Sequence, residues 1–534
     1  MLFLFFENQS KQMVISTATK VTPLQFSLSY IYNMFDAVTS FLTSYGGWIS
    51  LLFFITALIY WFGVSEFALI SQVRLPGPKP WPYFGNLIEV ARYGGLHKAF
   101  IIYGKKYGKV YKMYLGRSPM ITVADPEMLK HILVKDFHKF QNRPDVMRGN
   151  APMDKGLFDA RDEAWRRVRS VLTPTFSALK VKELVPLIDD AVGILLGKLE
   201  TFAAKNESSV DVSRLFALFS FDVIMRSAFG VEAEIQTNPD PDLLQKALTL
   251  FDVPLYNRAL SMFPFWQKVK KLFDINPIQH VRFFEKLSRN VLEIRKKSPS
   301  GRRDLFQLML EAKEENVNRT QKLTDEEIIA QTIVILAAGF ETTGSTLAFI
   351  AYYLTLYPEI QARLRQEIEE ATRSHDHAST LDFINGLEYL DRVISEVLRI
   401  IPIGFVNVRQ CNESCVIKGV HFPAGVVVNI PSYAVHHDPA FWPEPEKFDP
   451  DRFLPSEIKK RPSFSYMPFS HGPRQCIGMR LALLEIKMAL VKILQKVKFE
   501  RGVGTTDTLE LNAALLLRAR DPIRVKVVPI LESL

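Results

Sequence analysis

A short run near the C-terminus, FSHGPRQCIG at residues 469–478, has the residue types needed to hold a reactive sulfur. Its fixed positions are Phe469, Gly472, Arg474, Cys476 and Gly478. The apolar run that follows, residues 479–497, has the spacing of a helix, which places the cysteine at its N-terminal end. Free backbone N–H groups and the positive end of the helix dipole stabilise a thiolate there. The pattern therefore favours a thiolate at Cys476; the alternative is a buried structural cysteine.

The spacing F-x-x-G-x-R-x-C-x-G resembles the haem-thiolate signature of the cytochrome P-450 superfamily. The resemblance implies that Cys476 is the axial ligand of the iron of haem b, where a thiolate favours O–O cleavage. It also implies that Phe469 shields the sulfur from water and that Arg474 directs its cation at a haem propionate. Gly472 and Gly478 would let the backbone turn tightly and pass close to the flat macrocycle.

A second motif lies in a long predicted helix. Thr324 and Glu327 have the spacing of a capping box, and the apolar run after them continues to Tyr357, ahead of a proline. At 1.5 Å per residue this helix would be about 50 Å long, which is unusual in a globular protein. Near its middle stands the run AGFETT, residues 338–343.

Three residues of this run have properties that suit oxygen chemistry. Gly339 weakens the helix and permits the close approach of a flat ligand. Thr342 can hydrogen-bond to the carbonyl of Ala338 and open a groove that holds dioxygen and water. Glu341 would then take part in proton delivery. The run resembles the superfamily's A-G-x-E-T-T, so Glu341 and Thr342 are the predicted catalytic residues; the alternative is a Gly-Thr kink in a core helix.

An ionic network is predicted beside the haem. Glu396 and Arg399 are three residues apart on a predicted helix, so their side chains lie on one face and can pair. The later run FDPDRF, with Arg452, resembles the superfamily's P-E-R-F segment, with Asp in place of Glu. The resemblance implies that Glu396, Arg399 and Arg452 form a buried structural network.

Further basic residues are predicted to bind the haem propionates. Trp165 and Arg169 are four apart on a predicted helix, so both can face one propionate, and they match the superfamily's W-x-x-x-R. Arg143 and Arg409 fall where related microsomal members place additional propionate-binding arginines. The alternative for these last two is a surface cation.

Composition limits the remaining classes of protein. The 534 residues carry a net charge of +9, which suits an anionic membrane surface or an acidic partner. No nucleic-acid motif or aromatic interleaving accompanies the basic runs, so no nucleic-acid partner is predicted. The chain has three cysteines, too few for a disulfide framework, so the main body is expected in a reducing compartment.

The N-terminal region predicts a membrane anchor. Residues 37–65 contain no charged residue, and the densest apolar part is 48–64. With its flanks this part reaches the ~20 residues that span a bilayer. Arg74 and Lys79 follow the segment, so the C-terminal body should face the cytosol from the endoplasmic reticulum membrane as a single-pass protein.

The expected fold is mainly α with small β-sheets, a cytochrome P-450 fold preceded by a transmembrane helix. The proline-rich run at 75–86 is a stiff connector, because proline fixes φ and restricts the residue before it. The predicted segments are a leader of unknown role at 1–47, a transmembrane anchor at 48–70, a hinge at 71–86 and a catalytic domain at 87–534.

Three runs resemble those of the animal microsomal clan that contains the 3A drug- and steroid-oxidising enzymes and thromboxane synthase: YMPFSHGPRQCIGMRLAL, AVHHDPAFWPEPEKFDPDRF and AAGFETT. The resemblance implies the reaction R–H + O₂ + 2 electrons + 2 protons giving R–OH and water. Electrons would come from NADPH through cytochrome P-450 reductase, with cytochrome b5 as an additional partner. No dinucleotide fingerprint occurs in the chain, so the reductase is a separate protein. The expected pocket residues, which suit a steroid, fatty acid or xenobiotic, are Ala338, Ile403, Phe405 and Leu515.

Two other functions remain open. A peroxide isomerase of the thromboxane-synthase type would need no reductase, but the intact Glu341–Thr342 pair argues against it. A haem-binding sensor or carrier would share Cys476 and have no use for an oxygen-activation motif. Replacement of Thr342 by alanine would separate NADPH use from product formation only in a monooxygenase.

Overall fold

The computed structural model describes residues 23–144, 151–230, 234–250, 280–297, 304–315, 322–374 and 380–530. Helices make up most of these residues, and the strands are short. The helices are α1 (Pro23–Thr43), α2 (Tyr45–Val64), α3 (Leu87–Arg92), α4 (Leu96–Tyr107), α5 (Pro126–Lys130), α6 (Asp162–Leu172), α7 (Ala178–Glu183), α8 (Val185–Ala204), α9 (Val212–Ile224), α10 (Pro241–Leu248), α11 (Val281–Lys297), α12 (Leu305–Glu315), α13 (Asp325–Leu356), α14 (Pro358–Ser374), α15 (Thr380–Asn385), α16 (Glu388–Ile400), α17 (Ser432–His436), α18 (Pro455–Ile458) and α19 (Met479–Lys496).

The strands form small sheets. They are β1 (Val110–Leu115), β2 (Ser118–Val123), β3 (Val210–Asp211), β4 (Asn407–Gln410), β5 (Cys415–Ile417), β6 (Val420–Phe422), β7 (Val427–Ile430), β8 (Val497–Glu500), β9 (Leu511–Ala513), β10 (Leu517–Ala519) and β11 (Arg524–Pro529). The largest sheet has the order β1-β2-β7-β4, in which β2 and β7 are parallel and the other pairs antiparallel. The predicted mainly helical fold with small sheets is confirmed.

The chain divides into two units, Met1–Ser65 and Glu66–Leu534. In the first unit, α2 has no acidic residue in its first turn and no basic residue in its last. Two helical stretches in the described part of the chain are long and apolar enough to cross a membrane, Gly46–Ile70 and Asp325–Leu356. The second is largely buried inside the protein, as a core helix is, whereas little of the first is buried.

Helix α13 begins where the sequence predicts. The Thr324 side chain accepts a hydrogen bond from the Glu327 backbone N–H, and the Glu327 side chain accepts one from the Thr324 N–H, so the capping box is confirmed. The helix ends at Leu356, one residue short of the predicted Tyr357, which is its C-cap. Its 32 residues give it a length of about 48 Å.

Glycines allow α13 to pack closely on α9. A Cβ at Gly339 would lie 2.5 Å from Cδ1 of Ile224, and a Cβ at Gly344 would lie 2.9 Å from the backbone oxygen of Phe216. Gly339 was expected to admit a flat ligand. In the structure its missing side chain instead makes room for a neighbouring helix.

Helix α19 buries a carboxyl group, that of Glu485. Its Oε1 atom has no hydrogen-bond partner among the described residues. Burial raises the pKa of this carboxyl from 4.5 to about 8, and the Ser220 hydroxyl counteracts part of that rise. The folded protein therefore keeps a proton on Glu485 at pH values where the unfolded chain has released it.

This proton makes stability depend on pH. Because the folded state binds more protons than the unfolded state between about pH 4.5 and 8, the free energy of unfolding falls as the pH rises through that window. The slope is about 1.4 kcal/mol per pH unit where the two states differ by one proton. Glu485→Gln should remove this slope. The free energy of unfolding of the variant, relative to that of the wild type, should therefore increase from pH 5 to pH 8.

Unfolding midpoints of the full chain in detergent at pH 5, 6.5 and 8 test this expectation. Glu359→Gln, on the exposed face of α14, is the control and should follow the wild type at each pH. Parallel pH profiles for wild type and Glu485→Gln would contradict the prediction.

Candidate functional site

The loop before α19 has a tightly constrained backbone. The Cys476 N–H donates to the Phe469 carbonyl oxygen at 3.0 Å, which closes the loop on itself. Gly472 has a φ of 76°, and a Cβ there would lie 2.0 Å from the backbone oxygen of Leu133. Only glycine fits this position. The loop is therefore fixed between Phe469 and the start of α19 at Met479.

The Cys476 side chain is solvent-accessible, yet burial is the main cause that raises the pKa of its thiol. Both observations hold for a sulfur that lines an enclosed space inside the protein. The backbone N–H of Gly478 and the Arg169 and Arg143 guanidinium groups lower the pKa again. A Cβ added to Gly478 would meet no atom within 4 Å, so the backbone two residues after Cys476 borders open space.

Helix α6 contributes two side chains to this region. The Arg169 Nη1 atom donates to the Gln475 carbonyl oxygen at 3.0 Å, which ties the helix to the cysteine loop. Trp165 is buried, and its indole Nε1–H has no hydrogen-bond partner among the described residues. The guanidinium carbon of Arg474 lies 4.4 Å from the centre of the Trp165 ring. Trp165, Arg169 and Arg474 are therefore brought together around Cys476.

Arg474 uses its nitrogens on the backbone. Nε donates to the Gln141 oxygen and Nη2 to the Ala160 oxygen, each at 2.7 Å, and Nη1 lies 3.3 Å from the Phe158 oxygen. The pKa of Arg474 is lowered to about 8, chiefly by burial, with a contribution from the like charge of the nearby Arg143. In this structure the side chain braces the segment at 157–160.

Arg409 and Arg143 complete the basic cluster. Arg409 lies on β4, opposite Val428 of β7, and is fully buried, yet its Nε and Nη2 atoms have no hydrogen-bond partner among the described residues. The pKa of Arg409 is lowered to about 9 and that of Arg143 to about 10, in both cases chiefly by burial, with a contribution from the like charge of a neighbouring arginine. The Arg143 guanidinium lies over the Phe158 ring at 3.9 Å.

A buried cluster of arginines needs anions. An orphaned guanidinium leaves both charge and donors unsatisfied, which costs several kcal/mol (about 3–5) when it is buried. Carboxylates placed among Arg143, Arg169 and Arg409 would satisfy the orphaned donors and the crowded charge together. The site therefore combines an accessible cysteine side chain with a rim of arginines that suits carboxylates.

Comparison with known proteins identifies the family of this chain. The family model for cytochrome P450 matches residues 75–527. The chain belongs to the cytochrome P450 family. Among its relatives, rat cytochrome P450 3A2 is 37% identical over 489 residues, covering 90% of this chain and 96% of that protein. Mouse cytochrome P450 3A41 is 37% identical over 506 residues, covering 93% and 98%. Rat cytochrome P450 3A1 is 38% identical over 489 residues, covering 90% and 96%.

Cytochromes P450 are haem monooxygenases, and the chain is an oxidoreductase of this kind with a haem iron cofactor. The residues present fit that group. A haem carries two propionate carboxylates, which match the orphaned donors of Arg409 and Trp165.

The predicted oxygen-activation residues lie together on α13. The Thr342 hydroxyl donates to the Ala338 carbonyl oxygen at 2.7 Å, as the sequence predicts. Ala338 is exposed although its helix is largely buried, whereas Glu341 is only 8% exposed. The Arg518 Nη2 atom donates to Glu341 Oε2 at 2.8 Å, and Arg518 Nε pairs with the other carboxylate oxygen.

The Glu396 network is assembled as well. Arg399 donates to Glu396 through Nε at 2.7 Å and Nη2 at 2.8 Å, and both side chains are fully buried. Arg452 Nε lies 3.4 Å from Glu396 Oε1, and the Asp449 backbone N–H donates to the same oxygen at 3.0 Å. Burial raises the pKa of Glu396, and the Arg399 guanidinium counteracts the rise.

The expected pocket residues differ in their surroundings. Ile403 and Phe405 are buried in the core, and the Ile403 carbonyl oxygen accepts a hydrogen bond from the Leu517 N–H at 2.9 Å. Leu515 is 49% exposed in the turn between β9 and β10. The backbone therefore connects the Ile403 segment to the hairpin that carries Leu515.

Sequence reasoning missed Arg518. It lies 177 residues from Glu341 along the chain, in a short strand with no motif of its own. A pairing between distant elements leaves no local pattern, so only the fold reveals it.

Proposed function

We propose that this cytochrome P450 is a haem-thiolate monooxygenase that hydroxylates a lipophilic substrate with electrons delivered from NADPH by a separate reductase. Cys476 is proposed as the axial ligand of haem b. The proposal rests on the surroundings of the Cys476 sulfur. The side chain is accessible in a buried environment, and the charges of Arg143 and Arg169 act on it. These cations stabilise the thiolate form against the effect of burial.

The proposed cofactor-binding residues act around the rim. In the described part of the chain, Arg409 and Trp165 have donors without a hydrogen-bond partner, which suit propionate oxygens, and Arg169 and Arg143 contribute charge. Arg474 holds the loop at 157–160 through its backbone hydrogen bonds. Phe469 anchors the cysteine loop by accepting from the Cys476 N–H.

When bound, the haem supplies the iron at which dioxygen is activated, and α13 supplies protons. The Thr342 hydroxyl donates to the Ala338 carbonyl oxygen, and these two residues would line the groove that receives water and dioxygen. Glu341 takes up a proton at its carboxylate and releases it toward that groove. The overall reaction consumes R–H, O₂, two electrons and two protons and gives R–OH and water.

A steroid, fatty acid or xenobiotic is the proposed substrate class. The residues assigned to the pocket, Ala338, Ile403, Phe405 and Leu515, are all apolar and offer no charge to a ligand. Cytochrome P450 reductase is the proposed electron donor, with cytochrome b5 as an additional partner.

The proposed setting is the endoplasmic reticulum membrane. The stretch Gly46–Ile70 is long and apolar enough to cross it once, and Arg74 and Lys79 follow on the side where basic residues are retained. The catalytic domain at 87–534 would then face the cytosol, joined through the hinge at 71–86 to the anchor at 48–70 and to the leader at 1–47.

Thr342→Ala tests the proposed function. Because the variant lacks the hydroxyl that organises the groove, NADPH oxidation should continue while product per NADPH falls on the order of tenfold, with hydrogen peroxide making up the difference. The measurement uses wild type and variant with reductase, NADPH and testosterone as a neutral lipophilic probe.

Thr342→Ser keeps the hydroxyl and is the matched control, so its product per NADPH should remain close to that of the wild type. Equal coupling in wild type and Thr342→Ala would contradict the proposal. Turnover of an organic peroxide without NADPH or reductase, at the rate seen with them, would favour an isomerase instead.

A further inference from the structure

The carboxylate of Glu341 is held by an arginine from a distant hairpin. Arg518 Nη2 donates to Glu341 Oε2 at 2.8 Å, and Arg518 Nε forms an ion pair with Oε1, so the guanidinium contacts both oxygens. A two-point contact of this kind fixes the plane of the carboxylate as well as its position. Glu341 therefore has one defined orientation on α13.

The hairpin fixes Arg518 in turn. Strand β10 pairs antiparallel with β9, with Arg518 opposite Asn512. The neighbouring Leu517 is fully buried, and its N–H donates to the Ile403 carbonyl oxygen at 2.9 Å. Because the backbone is held on both sides of the strand, the guanidinium reaches Glu341 from a rigid support.

The surroundings of Glu341 make this contact important. The carboxylate is 8% exposed and stands between Phe340 and Thr342 on a helix that is mostly apolar. The Thr342 hydroxyl donates to Ala338, not to the carboxylate. A charge that is removed from water without a partner reverts to its neutral form, so the ionised form of Glu341 depends on a cation beside it.

We propose that Arg518 is a positioning residue for proton delivery: it holds Glu341 in the orientation from which a proton reaches the groove at Thr342. The role rests on the proposed function of Glu341. Each cycle leaves the pair unchanged, because the proton that the carboxylate takes up from water is the proton that it gives up toward the groove. Arg518 also joins the hairpin that carries Leu515 to the helix that carries the catalytic residues.

Arg518→Gln tests the proposal through the fate of NADPH. The variant should still oxidise NADPH, but hydrogen peroxide per NADPH should rise and testosterone product per NADPH should fall on the order of tenfold, since positioned proton transfer contributes about 10²–10⁴-fold. Arg518→Lys keeps the positive charge but not the two-nitrogen contact of the guanidinium, and it should recover part of the lost product per NADPH. A merely structural defect would lower NADPH oxidation and product together.

Arg520→Gln is the matched control. Arg520 lies two residues further along the same hairpin, and its partner Glu510 is exposed like itself. The same substitution there removes a surface ion pair and should leave coupling unchanged. A loss of coupling in Arg520→Gln equal to that in Arg518→Gln would overturn the proposal, because the effect would then belong to the hairpin as a whole.

A double-mutant cycle decides whether Arg518 acts through Glu341. In Glu341→Gln/Arg518→Gln, product per NADPH should equal that of Glu341→Gln alone, whereas independent effects that multiply would overturn the proposal. Unfolding midpoints of the same four proteins give a second readout that needs no turnover. If the residues pair, the effects of the two substitutions on the unfolding midpoint should be non-additive. Additive effects on the midpoint would also overturn the proposal.

The reduced carbon-monoxide difference spectrum of each protein separates this proposal from the proposed function. Wild type without a thiolate-type band or without NADPH-dependent product would refute the proposed function, and the unfolding cycle would still decide the pairing. Wild type that is active and an Arg518→Gln protein that is equally well coupled would refute only the positioning role.

Discussion

Glu396→Ala should yield protein that does not accumulate in a folded, haem-containing form. The substitution leaves Arg399 fully buried without its bidentate partner and orphans the Asp449 backbone N–H. Breaking one member of a buried ion pair costs about 3–5 kcal/mol, out of the ~5–15 kcal/mol that stabilise a typical domain. Haem content per mole of protein and the amount of detergent-soluble protein measure the effect.

A surface pair provides the control. Glu510→Ala removes a carboxylate that pairs with Arg520, and both of these side chains are mostly exposed. Such pairs contribute about 0–1 kcal/mol, so this variant should retain its haem. Glu396→Gln should fall between the two, because an amide oxygen can still accept from Arg399 although the charge is lost.

The combination Glu396→Ala/Arg399→Met separates two explanations. If the damage comes from an unpaired buried cation, removal of that cation should restore part of the haem content, since apolar replacements of buried ion pairs are often tolerated. Arg399 also donates to the His436 and Lys447 carbonyl oxygens, so the recovery should be incomplete. Soluble, haem-replete Glu396→Ala protein would contradict the structural role of the network.

The basic cluster and the cysteine act on each other through charge. Arg143 and Arg169 stabilise a thiolate at Cys476, and a thiolate in turn raises the pKa of both arginines. Arg474 and Arg409 gain no such help and have the lower pKa values, about 8 and about 9. The carboxylates of a bound cofactor would therefore stabilise the charged forms of Arg474 and Arg409 most. Cofactor binding is in this way coupled to the stability of the fold.

Features with a local pattern were predictable from the sequence. The capping box of α13, the helix after the cysteine and the Thr342 hydrogen bond to Ala338 involve residues three or four apart, where backbone geometry fixes the neighbours. The same argument placed Glu396 beside Arg399. Long-range features were predictable only where a family motif carried them, as for Arg452.

Features without such a pattern were not predictable. The partner of Glu341 lies in a three-residue strand, and the neighbour of Gly339 is a side chain on another helix. In both cases the sequence gives the residue type but not the element that packs against it. Glu485 is similar: its place in an apolar helical run is visible in the sequence, but its complete burial depends on which helices surround it.

Cys476→Ser should abolish the thiolate-type spectrum and monooxygenase turnover. A serine hydroxyl has a far higher pKa than a thiol, so Arg143, Arg169 and the Gly478 N–H cannot hold it as an anion at neutral pH. The reduced carbon-monoxide difference band should move from the strongly red-shifted position to the unshifted one, and NADPH-dependent product should fall below detection. The fold should persist, because the loop is held by backbone contacts.

Cys415→Ala is the control for loss of a thiol elsewhere. Cys415 is buried, and burial raises the pKa of its thiol, so it is a small apolar side chain and not a ligand. This variant should keep the red-shifted band and its turnover. A red-shifted band that survives in Cys476→Ser and is lost in Cys415→Ala would move the ligand to the β5 region and contradict the assignment of Cys476. Loss of the band in Cys476→Ser alone would leave Cys476 as the source of the thiolate, since the remaining two thiols are buried and lie outside the loop that Arg143 and Arg169 surround.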